Sequence, residues 1–351
     1  MKRIIFLLIG MLAFIACQDE DEFIPFPFEE NTTNPEWKTY LKGYEIEHLA
    51  DAGNYLWLTN EKDVIKFYKN TGNAVYFNLD NIETPPDYRI TSIACTENGL
   101  PWVGVDYTGV LKMNEDKQWI VLPPVPEPKF VNVGDILIAD TDTVWTWMNT
   151  NTPFSISLGG TFSTALEEME TILVRYQGNS VETFTIDKPI SSLTEDNDGN
   201  LWIGEWNWTT STLVKYDGEN WTTFNCPQEL GPSPKSFTEI TFDELGNFWM
   251  AGHFGIMGGD NLIKFNGTEW QTYALPEPST GIYSLAHQDD GVIWLGTNNG
   301  LMKFSDLQWT VYQFEYLKLP SNKVNSIVID ADGTKWIGTD NGLAAFNENS
   351  L

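Results

Sequence analysis

One tryptophan-centred pattern recurs seven times along this chain, at Trp57, Trp102, Trp145, Trp202, Trp249, Trp294 and Trp336. Successive copies lie 45, 43, 57, 47, 45 and 42 residues apart, the differences of those positions. Nine residues before six of them stands an aliphatic residue: Ile93, Ile136, Leu193, Ile240, Leu285 and Ile327. Leu49 fills that role in the first copy, whose turn is one residue shorter. A turn glycine precedes the tryptophan by three residues in five copies (Gly99, Gly199, Gly246, Gly291 and Gly333).

Each copy reads as four short strands. In the fourth, Ile190 to Glu195, Leu201 to Gly204, Leu213 to Tyr216 and Trp221 to Phe224 are separated by turn residues, the first turn being Asn197-Asp198-Gly199-Asn200. Four-stranded units at this period are the mark of propeller blades. Aromatics at 14% and charged residues at 20% suit a packed all-β protein of 351 residues. The seventh copy ends near Phe346 with no room for a fourth strand. An orphan segment before the first copy, Trp37-Lys38-Thr39-Tyr40, matches the fourth-strand segment Trp270-Gln271-Thr272-Tyr273. The expectation is a seven-bladed all-β propeller over 35–351, its last blade closed by the N-terminal strand, which removes the open sheet edges of a linear array.

Asp332-Gly333-Thr334-Lys335-Trp336-Ile337-Gly338-Thr339-Asp340-Asn341-Gly342-Leu343 resembles the two-component regulator propeller repeat, as does Ile293-Trp294-Leu295-Gly296-Thr297-Asn298-Asn299-Gly300-Leu301. The pattern is crisp in repeats two, four, six and seven; repeat one has Thr59 where a glycine belongs, and repeat three lacks that glycine and the turn glycine. The resemblance implies a periplasmic sensor module of hybrid histidine kinases, often one that recognises oligosaccharides. No second propeller, following transmembrane helix or kinase is read here, so a recognition role is carried over and a transmembrane sensor role is not.

The N-terminus points to the envelope. Met1-Lys2-Arg3 is basic, Ile4 to Phe14 is apolar and short for a bilayer span, and Phe14-Ile15-Ala16-Cys17 resembles a bacterial lipobox. The reading is a signal peptide over 1–16, a lipidated Cys17 and a flexible acidic tether over 17–34. Gln18-Asp19-Glu20-Asp21-Glu22 resembles the signal by which Bacteroidetes-type bacteria export lipoproteins to the cell surface. Outer-membrane anchoring with surface exposure is therefore expected. The formal charge of −29 becomes −31 once Lys2 and Arg3 are removed with 1–16, which argues against nucleic acid as a partner.

Extra length collects on one face of the expected disc, in the loops after the second and fourth strands. Insertions on one face of a repeat array mark the functional face, here over blades three to five. Trp206 and Trp208 on one loop, with Phe254 and Tyr107 on neighbouring loops, are the candidate ligand-binding residues, able to stack on sugar rings or anchor a partner; packing down on the blade is the competing reading for the two tryptophans. Catalytic groups are sparse. His253, with Asp260 and Glu205, is the one weak candidate, whereas His48 and His287 read as satisfied strand residues. No metal or other cofactor is expected, and Asp196 to Asn200 reads as a hairpin turn because its spacing does not fit a calcium loop. Cys95 and Cys226 read as buried free thiols. The cations of the third strands (Lys66, Lys112, Arg175, Lys215, Lys264 and Lys303) are expected to pair with acids between blades. The leading functional reading is a non-enzymatic surface module that binds a glycan or a protein; the alternatives are a lyase or hydrolase and a structural subunit of an envelope assembly.

Overall fold

The computed structural model describes residues 23–24, 37–79, 82–85, 87–123, 132–139, 143–149, 170–178, 180–206, 211–226, 236–253, 260–276, 281–288, 291–313 and 319–348. Among these described residues, twenty-nine strands form seven antiparallel sheets. The first strands of the blades are His48–Asp51, Ile90–Cys95, Asn132–Ile138, Ile190–Glu195, Ser236–Phe242, Ile282–Gln288 and Val324–Ile329. Each touches the next, and the last touches the first, so these seven ring a common axis. The expected seven-bladed propeller is what forms.

Closure follows the expected plan. Trp37–Tyr40 pairs with Gly342–Phe346 in the sheet that also holds Val324–Ile329 and Lys335–Thr339. Trp37 is 1% exposed and stacks on Phe346 at 4.1 Å between ring centroids. The segment read as a tether contributes a further pairing: Phe23–Ile24 runs along Val75 and Ala74 at the outer edge of blade one, making that sheet five-stranded.

Packing between blades explains the sequence pattern. Second and third strands lie between neighbouring sheets, so they are buried on both sides; Lys335–Thr339 and Gly342–Phe346 are buried throughout. Fourth strands form the rim and are more exposed, as in Trp221–Asn225. The glycine two residues after the tryptophan is a close-approach position. A Cβ on Gly296 would sit 2.3 Å from Ser284 Oγ and 2.7 Å from Val324 of the next blade. Repeat three solves the same crowding in reverse. Trp147 stands where the glycine would, and Gly134 on the first strand makes room, since a Cβ there would fall 1.9 Å from the Trp147 ring.

The third-strand cations behave differently from the expectation. Cross-strand register puts each opposite the tryptophan of its own blade, as in Trp57 with Lys66 and Trp249 with Lys264. The ammonium or guanidinium group lies over that indole, 4.9 Å away for Lys264 and 5.4 Å for Arg175 and Lys215. Attraction to the ring, not an acid between blades, is their common partner. Among the described residues, Lys303 also makes an ion pair across a blade boundary, to Glu348 at 2.8 Å. Cys95 and Cys226 are free, as read, with Cys95 half-buried and Cys226 buried; burial pushes both thiols up to about 11.

Candidate functional site

The first strands carry the chemistry nearest the axis. In blades two to seven the ladder to the second strand slips by one residue near its start, for example between Ile90 and Ser92 and between Ile282 and Ser284. Such a bulge turns the local backbone and re-aims its side chains. The residue just before the core aliphatic is then His48, Ser92, Asp135, Ser192, Glu239, Ser284 or Ser326 around the ring. Several of these reach to the next blade. Ser92 Oγ donates to the Gly134 carbonyl at 2.7 Å, Asp135 accepts the Leu193 N–H, and Glu239 accepts the Leu285 N–H. Burial pushes the Asp135 carboxyl up to about 6 and that of Glu239 to about 8, against the pull of those N–H groups.

At the mouth of this ring, on the face of the longer loops, a pocket of about 400 Å³ opens between blades six, seven, one and two. That size suits a small ligand or the tip of a larger one. Its lining includes His48, Arg89, Asp106, Glu47, Tyr283 and Lys323. Two loop ends supply the cations. Arg89, just before the first strand of blade two, stands 3.6 Å from Glu47 and 3.3 Å from Glu61. Lys323, before the first strand of blade seven, stands 3.6 Å from Glu45 and 5.7 Å from the centre of the half-exposed Tyr283 ring. Asp106 is held by the Val133 N–H at 3.3 Å. Burial raises Asp106 above the usual carboxylate range despite that bond, and raises Glu47 despite Arg89.

His48, expected as a satisfied strand residue, lines this pocket. Burial lowers its pKa to about 4, and the nearby Arg89 charge adds to the effect, so the imidazole is neutral. His287, read in the same way, differs from that expectation: its Nε2 is buried without a partner among the described residues. For His287 the sequence reading missed the lack of a partner, because the neighbours of a first-strand residue come from other blades.

The aromatic candidates are distributed as follows. Tyr107 sits in the turn after Asp106, with positive φ and half its surface exposed. Trp206 and His253 are the last residues of the strands Leu201–Trp206 and Phe248–His253, paired with Ser211 and with Ser236 and Asp260. Trp208 and Phe254 lie outside the described residues, as do Cys17 and the long insertion of blade three. Glu205 is buried and accepts the Thr212 hydroxyl at 2.8 Å. Asp196 caps its hairpin by accepting the Asp198 and Asn200 N–H groups, as a turn does. Among the described residues no group of three or more metal-ligating side chains comes together, and no helix is long and apolar enough to cross a membrane.

Three segments, residues 186–207, 276–299 and 318–341, match the family described as Two component regulator propeller. They fall in blades four, six and seven. No curated protein matches the chain. Among solved structures, the extracellular domain of BT4673 from B. thetaiotaomicron, described as part of a one component system, is similar with a TM-score of 0.65 and 18% identity, over 90% of this chain. The chain spans only 40% of that structure's length. Virginiamycin B lyase from Staphylococcus aureus gives 0.68 and 12%, over 88% of this chain and 97% of the lyase. YCF48, solved bound to D1 peptide, gives 0.64 and 15%, over 90% of this chain and 97% of YCF48. At these identities the likeness is one of fold.

Proposed function

We propose that this propeller, with its repeats of the two component regulator type, is a binding module of the bacterial envelope that recognises a glycan or a protein ligand at the axial pocket of its loop-rich face. The observation that carries the reading is the pocket itself: carboxylates, cations and a half-exposed tyrosine converge there from four blades. Glu47 and Asp106 can accept hydrogen bonds from hydroxyl groups, and the Tyr283 ring offers a stacking face. Lipidation at Cys17 would hold the module at the outer membrane, with the acidic run after it directing surface exposure. The extracellular placement of the B. thetaiotaomicron domain supports an envelope location.

A second reading, a lyase or hydrolase, is favoured by the neutral His48 in the pocket and by the shared fold of virginiamycin B lyase. A pKa of about 4 makes His48 a weak base near neutral pH, where an efficient general base has a pKa close to the working pH. Binding is therefore the stronger reading.

A glycan array and a surface pull-down with the full chain test it. Any ligand captured should be lost about tenfold or more in affinity with Asp106→Asn or Tyr283→Ala, at unchanged thermal stability. Capture that is indifferent to both changes would move the site elsewhere, and no capture in either assay would end the binding reading. Turnover abolished by His48→Gln would establish the enzymatic one.

A further inference from the structure

The opposite face of the disc, built from the tight turns, carries a second surface. The residue before the turn glycine is Asn98 in blade two, Asp198 in blade four, Asp290 in blade six and Asp332 in blade seven. Blade five has Leu245 there, and it is 87% exposed. In blade six the turn between third and fourth strands is Asp306-Leu307, with φ of 51° and 61°. Hairpin turns of this kind favour asparagine and glycine, because a left-handed conformation strains other side chains. Leu307 nevertheless occupies it and is 68% exposed, so burial within this protein does not offset the strain.

Both leucines border one cavity of about 420 Å³ between blades five and six, which Trp249 and Tyr273 also line. Its edge carries Glu244 and Asp306. Among the described residues that line it, the one cation, Lys264, lies 4.9 Å over the Trp249 ring. The result is an apolar pair set in an acidic rim, on a chain whose formal charge is −29.

We propose that this groove docks a protein segment in which an aliphatic or aromatic side chain is flanked by lysine or arginine. The apolar side chain fills the space between Leu245 and Leu307, and the flanking cations meet Glu244 and Asp306. Charge selects the occupant: a basic segment is drawn to this surface, whereas a second copy would bring a like-charged rim against it. The surface lies on the face away from the axial pocket, so the two recognition events are separable and neither depends on the other.

The test uses two labelled peptides, Gly-Lys-Phe-Lys-Gly and Gly-Glu-Phe-Glu-Gly, titrated with the full chain by fluorescence anisotropy. The basic peptide should bind saturably and weaken with added salt, and the acidic one should not bind. A Leu245→Asp/Leu307→Gly double variant should bind the basic peptide about tenfold more weakly or worse, from the lost apolar contact. Both replacements suit their turns, aspartate because other blades carry it and glycine because of the positive φ, so thermal stability should be kept. The added Asp also raises the local negative charge, so weaker binding of a cationic peptide cannot come from electrostatics. Equal binding to parent and variant, equal binding of the two peptides, or no binding to the parent overturns the proposal. Leucine-dependent self-association in sedimentation would assign the groove to a second copy and overturn it equally.

Discussion

At Trp202 the indole N–H donates to Asp196 at 2.8 Å, while the Lys215 ammonium lies over the ring. Trp249 with Asp243 and Trp336 with Asp330 repeat the bond. Burial alone would raise these three carboxyls, but the indole and asparagine or backbone donors hold them below the usual range. Their stabilising effect is present at neutral pH and is lost as pH falls through their lowered folded values. Glu239 has the opposite sign. Its folded value of about 8 lies above an unfolded value of about 4.3, so the folded state keeps a proton that the unfolded state releases. Stability from this group falls as pH rises across that interval. Glu239→Gln keeps an oxygen for the Leu285 N–H and removes the titration. Thermal melts from pH 5 to pH 8 should therefore decline less steeply in the variant than in the parent, and parallel profiles would show that Glu239 is ionised throughout.

Among the strands, the N-terminal one bears most on the integrity of the ring. Trp37 is buried against Phe346 and Tyr312, and Lys69 of blade one bridges Asp51 of its own blade and Asp330 of blade seven. Removing the Trp37 side chain should destabilise the fold by about 3–5 kcal/mol, the range for large aromatic truncations in cores. A denaturant titration of Trp37→Ala checks this, and a loss under about 1 kcal/mol would mean that the closing strand contributes little. This strand could be read in the sequence because Trp37 to Tyr40 copy Trp270 to Tyr273, a local signal. The blade pattern was readable for the same reason. The site was not. Arg89, Asp106, Tyr283, Lys323 and His48 come from four blades and become neighbours only when the ring closes, and none stands at a position the repeat keeps constant. The cations of the third strands were misassigned because register across a hairpin, which sets Lys215 opposite Trp202, is not visible in composition.

As a whole the molecule is a ring whose two faces differ: an axial pocket among longer loops on one, and tight turns with two displayed leucines on the other. Blades meet through tryptophans, close-approach glycines and hydrogen bonds such as Ser92 to Gly134, so the blades stand or fall together. A chain cut after Asp340, which lacks Gly342–Phe346, should give no cooperative melting transition; a sharp transition near that of the intact chain would show that six blades suffice. That expectation has a kinetic side. The closing contact joins residue 37 to residue 346, so a strand made early finds its partner only at the end of the chain. Joining such distant segments adds little entropic cost beyond a shorter loop, because the cost grows with the logarithm of length, but contacts so far apart in sequence form slowly. During synthesis the inner edge of Trp37–Tyr40 therefore waits without its partner until nearly the whole chain exists. A chain interrupted before Gly342–Phe346 thus leaves Trp37–Tyr40 with no ladder partner at all.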